Sequence, residues 1–89
     1  MQDEDLPPLI HTPPGLYRHY KGGLYAVLAT TRHSETLEPM TLYRALYGAH
    51  GLWVRPAAMF EEMVLWEGRQ QRRFSRMGDL PQGAQDLAN

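Results

Sequence analysis

Between Gly15 and Trp66, turn residues cut the chain into five runs, none longer than nine residues. This spacing constrains the fold more than any other feature, because such runs suit strands and fall short of the ~10–12 residues of an ordinary helix. The runs are GLYRHY (15–20), LYAVLATTR (24–32), MTLYRALY (40–47), LWVR (52–55) and EMVLW (62–66). KGG (21–23) and GAHG (48–51) supply turn glycines, and Pro56 ends the fourth run because it has no amide proton to give a ladder. In the second run Leu24, Ala26 and Leu28 share one face, with Tyr25 and Val27 on the other. In the third, Thr41, Tyr43, Ala45 and Tyr47 oppose Met40, Leu42, Arg44 and Leu46. The i, i+4 spacing of Leu42 and Leu46 would also suit a helix, but the β-favouring Thr41, Tyr43 and Tyr47 decide for a strand.

Five short strands with tight connections predict an all-β fold, a small five-stranded SH3-like barrel. AAMF (57–60) forms a single helical turn before the last strand. Closure would remove the exposed edges that so short a sheet otherwise carries. Val27, Leu28, Leu46 and Val54 are the expected buried aliphatic positions. Four of the seven prolines fall in residues 1–14, which read as an acidic, flexible tail; residues 75–89, rich in Gly, Gln and Asp, read as a second one. The domain is thereby placed at 15–74.

Composition excludes several classes. With no cysteine, disulfides and zinc–thiolate sites are ruled out. No apolar run approaches the ~20 residues of a membrane span, and the first residues are acidic where a secretory leader is basic. The expectation is a soluble cytoplasmic protein with no membrane partner. The formal charge is −1, but residues 15–74 carry eight bases against five acids. That excess is too small to argue for nucleic acid by itself.

The stretch Gly15–Phe60 carries a longer pattern, read as G-x-Y-x-H-x-K-G, then Y-x-V, H-S-E-T-x-E, Y-x-x-L-Y-G and W-x-R-P-x-x-M-F. Its fixed positions here begin at Gly15, Tyr17, His19, Lys21 and Gly22, continue through Tyr25, Val27 and His33–Glu38, and end at Tyr43–Gly48 and Trp53–Phe60. This pattern resembles a small bacterial family, domain of unknown function 1653. Thr31 stands where that family more often has alanine. The segment Glu67–Phe74 lacks the proline the family often places before Arg-Phe. The resemblance supports the small barrel and implies no activity.

Two groups of residues are candidates for function. The first is His33-Ser34-Glu35-Thr36-Leu37-Glu38. In the plainest reading it is a polar connection whose side chains cap their own turn, with Glu35 or Glu38 pairing to Arg32, Arg44 or Arg55. The sharper reading makes it one wall of a binding groove. A hydrolytic triad would need a geometry that adjacency in sequence does not supply. His19, His33, His50, Glu35 and Glu38 show no metal-ligand spacing, and no glycine-rich phosphate loop opens a helix, so no metal or cofactor is expected.

The second group is aromatic. A small core needs several large rings, yet alternation cannot bury all five tyrosines. Outward rings beside Arg18, Lys21, Arg44 and Arg55 would make a stacking and cationic surface. The sequence therefore reads first as a binding module with a surface of Tyr17, His19, His33, Glu35, Glu38, Tyr43, Arg44, Trp53 and Arg55. Single-stranded nucleic acid and a peptide, including a methyl-lysine ligand in an aromatic cage, both stay open as partners. Weak homodimerisation stays open as well. The alternatives are a small enzyme or accessory domain using His33 with Glu35 or Glu38 as acid and base, and a structural or oligomerising barrel.

Overall fold

A computed structural model describes residues 8, 9, 11–80 and 83. Seven strands and one helical turn follow in order: β1 (Gly15–His19), β2 (Leu24–Arg32), β3 (Pro39–Ala45), β4 (Leu52–Pro56), α1 (Ala57–Phe60), β5 (Met63–Trp66), β6 (Arg69–Arg72) and β7 (Phe74–Gly78). Five strands make one antiparallel sheet in the order β4-β3-β2-β1-β7, and β5 pairs with β6 as a separate hairpin. The hairpin turns at Glu67 and Gly68, both at positive φ (53° and 77°), the conformation a two-residue connection needs to match strand twist.

Four of the expected strands and the helical turn stand where the spacing put them. The fifth, near 62–66, forms as β5 but pairs only with β6. Its expected place in the main sheet is taken by β7, which lies antiparallel to β1 with His19 opposite Phe74. Consequently the ladder does not close into a barrel: β4 and β7 are its two edges. Regular structure also runs four residues beyond the expected boundary at 74. At the other end, Thr12 is 2% exposed. Its amide donates to Thr30 Oγ1 (2.9 Å) and its hydroxyl meets that of Thr41 (2.7 Å), so this part of the expected tail straps across β2 and β3. The remainder of the two expected tails, residues 1–7, 10, 81, 82 and 84–89, lies outside the described residues.

The core is one-sided and aromatic. Cross-strand register puts Tyr17, Tyr25, Val27 and Tyr43 on the same face of the sheet. Phe60 of α1 and Phe74 of β7 cover them, their rings stacked 4.0 Å apart and 4° from parallel. Tyr17 and Tyr43 each approach Phe60 at 5.5 Å, the first edge-on. Only Val27 of the four expected core aliphatics is fully buried. The register of β2 shifts between Val27 and Ala29, leaving Leu28 as the extra residue of a bulge, half-buried. Leu46 lies past the end of β3 and is also half-buried. Val54 pairs with Leu42 on the uncovered face and is 54% exposed. The space beside Val27 is filled instead by tyrosines and phenylalanines: Tyr17, Tyr43, Phe60 and Phe74.

Candidate ligand cleft

Strands β2, β3 and β4 and the β3–β4 loop wall a cleft of about 390 Å³. Tyr25, Tyr43, Tyr47 and Trp53 supply its rings, Arg55 its charge, and Gly48, Ala49 and Gly51 a floor low in side chain. Pairing builds the wall, since Tyr25 faces Ala45 across one ladder and Tyr43 faces Trp53 across the next. Among the described residues the outermost rings stay open to solvent: Trp53 is 61% exposed and Tyr47 54%.

The hydroxyls of Tyr25 and Tyr47 lie 2.7 Å apart. Burial first, and the Tyr47 hydroxyl next, push the Tyr25 phenol up to about 12. The shift moves its ionisation further still from physiological pH, so this hydroxyl stays neutral. Arg55 crosses the Phe74 ring at 5.7 Å, which fixes its guanidinium beside the aromatic wall. Aromatic rings set edge-to-face beside a guanidinium suit a planar or apolar group bearing an anionic substituent.

The rings continue past the cleft. From Tyr47 they run through Tyr25 (5.6 Å), His19 (6.4 Å), Tyr20 (4.4 Å) and Trp66 (5.4 Å) as a row of successive contacts. Lys21 lies 5.1 Å from the Trp66 ring and 5.7 Å from that of Tyr20. Within the row, burial and then the charges of Arg55, Arg73 and Lys21 lower the pKa of His19. The unfolded chain thus takes up this proton before the folded one does. Stability associated with His19 should be full above pH 6.5, its ordinary value, and should fall as pH drops through the window below it. Thermal melting from pH 8 to pH 5 checks this: the parent should lose more than His19→Gln, and equal losses would refute it.

Of the nine residues the sequence singles out, the cleft gathers Tyr43, Trp53 and Arg55, with His19 next to it in the ring row. Tyr17 belongs to the core, and its hydroxyl donates to the Pro13 carbonyl at 2.7 Å. Arg44 points from the other face of β3 and donates to the His50 carbonyl at 2.8 Å. His33, Glu35 and Glu38 occupy the β2–β3 loop, at the opposite end of β3 from Tyr47. At ~3.3 Å per residue, His33 stands roughly 20 Å along β2 from Val27, the partner of Tyr43.

Several of the loop's polar groups bond within the loop. His33 Nδ1 accepts from the amides of Glu35 (3.1 Å) and Thr36 (3.2 Å). The Thr36 hydroxyl donates to Glu38 Oε1 (3.2 Å) and accepts from the Glu38 amide (3.3 Å). These bonds stabilise a turn in which Leu37 holds a φ of 67°. Among the described residues, no three His, Asp or Glu side chains gather where a metal ion could be held.

Sequence reasoning missed Tyr25 and Tyr47 as cleft residues. The signal was there, because Tyr43 and Tyr47 were assigned one face of the third run and Tyr25 the face it shares with Val27. What the pattern lacked was the register that joins them.

Fold and cleft together define a small antiparallel β-domain that presents an open aromatic and cationic surface. The family model described as protein of unknown function (DUF1653) matches residues 15–76, and the chain belongs to that family. A crystal structure of a DUF1653 protein from Bordetella bronchiseptica is similar to it, with 35% sequence identity and a TM-score of 0.72. The similarity covers 79% of this chain and 92% of that one. Among curated proteins there is no match.

Proposed function

We propose that this protein is a binding module whose ligand is single-stranded nucleic acid, held in the cleft of Tyr25, Tyr43, Tyr47, Trp53 and Arg55. The observation that carries the reading is the row of rings leading from that cleft, exposed at Tyr47 and Trp66 and half-buried at Tyr25, His19 and Tyr20, accompanied by Arg55 and Lys21. Sequence-tolerant binding of single strands needs this combination, since every base has a face to stack and every linkage a charge to meet. We read the architecture as SH3-like in the same spirit, an open curl of short strands around an aromatic core, with residues 15–78 as the functional unit. A peptide is the second reading: β4 is an edge strand with Leu52, Trp53 and Val54 all exposed, a template for strand addition. An acid–base role for His33 has less support, because its Nδ1 already accepts two loop amides.

Backbone NMR titration with a short oligothymidylate tests the proposal. Shifts should concentrate at Tyr25, Tyr47, Trp53 and Arg55, and Trp53→Ala should weaken binding by about 5- to 100-fold, the equivalent of one lost stacking contact. Melting should stay near the parent's, as the ring is mostly exposed. His33→Ala serves as the comparison and should bind normally. Shifts confined to the β2–β3 loop, or W53A binding like the parent, would discard the cleft as the site.

A further inference from the structure

We infer that a second cleft, lined by Arg18 and Arg72, is a binding site for a phosphate oxyanion. It encloses about 210 Å³, and Ser75 and Gln71 line it together with the two arginines. Antiparallel pairing places Arg18 of β1 directly opposite Ser75 of β7. Arg72 arrives from the end of β6, two residues before β7 begins at Phe74.

What distinguishes these two arginines is that, among the described residues, they lack a partner, as Arg69 also does, and yet line one concavity that Arg69 does not. Arg73 is paired with Glu62 at 2.9 Å, and Arg76 donates to the Pro14 carbonyl and to Asp79. Arg32 and Arg44 donate to the carbonyls of Leu37 and His50, and Arg55 lies against Phe74. Among the described residues, the side chains of Arg18 and Arg72 have neither a hydrogen bond nor an ion pair. They nonetheless share one concavity, and no carboxylate lines it. Two like charges in a common hollow repel each other and gain nothing until an anion arrives. Guanidinium forks match the spacing of phosphate oxygens, while the Ser75 hydroxyl and the Gln71 amide add neutral donors.

The source of the phosphate can be a free monoester or the backbone of a bound strand, and the cleft's position fits either. Tyr20 and His19, members of the ring row, also line it. The site stands on its own residues and does not require the aromatic cleft to bind anything.

The test is an NMR titration of the full chain with inorganic phosphate, in phosphate-free buffer at ionic strength held constant with chloride. Saturable shifts should appear at Arg18, Arg72 and Ser75. Arg18→Gln and Arg72→Gln should each weaken the response by about tenfold, the scale of one charge-assisted contact. Arg69→Gln, which removes an equal charge at the far end of the same strand as Arg72 and outside the cleft lining, should leave it unchanged. Shifts that rise linearly without saturating, or an R69Q loss equal to that of R18Q, would reduce the cleft to general positive charge and overturn the inference. Trp53→Ala should not alter the phosphate response, so failure here is separable from failure at the aromatic cleft. Repeating the titration with oligothymidylate and with thymidine monophosphate then assigns the source. Loss of oligonucleotide affinity in R72Q identifies a backbone diester, and a response to the monophosphate alone identifies a free monoester.

Discussion

Phe60→Ala should lower the free energy of unfolding by about 3–5 kcal/mol, the range for removing a buried ring and leaving its cavity. Phe60 is 1% exposed and stacks on Phe74 while Tyr17 and Tyr43 close on it from the sheet. No neighbour is free to collapse into the space, because each ring is fixed by its own strand. Native stabilities of small domains start near ~5 kcal/mol, so such a loss would leave much of the population unfolded. Leu46→Ala is the informative comparison. Leu46 is half-buried beyond the end of β3, and its loss should be well under half that of F60A. Urea denaturation of the two variants decides the matter. Equal losses would mean that the core extends to the other face of β3.

Gly15→Val should be comparably severe, by roughly 2–4 kcal/mol, through steric conflict and backbone strain rather than lost burial. Gly15 has a φ of +154°, and a Cβ built there would stand 2.5 Å from the Gly78 carbonyl oxygen and 2.7 Å from Arg76 Nε. The first of these is main chain, so β7 itself would have to move. Gly22 is the contrast: its φ is +108°, but no atom lies within 4 Å of the added Cβ, so Gly22→Ala meets backbone strain alone. Hydrogen exchange should show G15V losing protection at β7 before β2 and β3. Uniform loss, or a cost below about 1 kcal/mol, would show that β7 is not held by this close approach.

The strands that the sequence disclosed are those with alternation to read. LYAVLATTR and MTLYRALY announce β2 and β3, and Pro56 marks the end of β4 within a residue. By contrast, RQQRRFSR contains a single large apolar residue, Phe74, so neither β6 nor β7 has a pattern to detect. β7 owes its place to pairing with β1, far away in sequence, and local periodicity carries no information about such partners. The bulge at Leu28 was equally hidden, since one extra residue reverses the face of everything after it.

At the candidate site the same division applies. Trp53 and Arg55 were singled out as a ring and a cation on one short strand, and both line the cleft. His33, Glu35 and Glu38 drew attention by density of polar groups alone. Density does not say which of these groups cap their own turn; the hydrogen bonds from the Glu35 and Thr36 amides to His33 Nδ1 do.

The adjacency of β1 and β7 has a kinetic consequence. Leu16 pairs with Gly78, so the first strand of the sheet gains its second neighbour only from the last. A nascent chain can zip β2, β3 and β4 by hairpin closure while its end is still being made, because those ladders join strands consecutive in sequence. Phe74 arrives with the final strand, so until then the aromatic core has no lid and Phe60 no stacking partner. The high contact order of that last docking makes it the slow step expected of the refolding reaction. During that interval β1 offers a bare edge flanked by Tyr17 and His19, and this is when the chain is most open to pairing with another copy of itself.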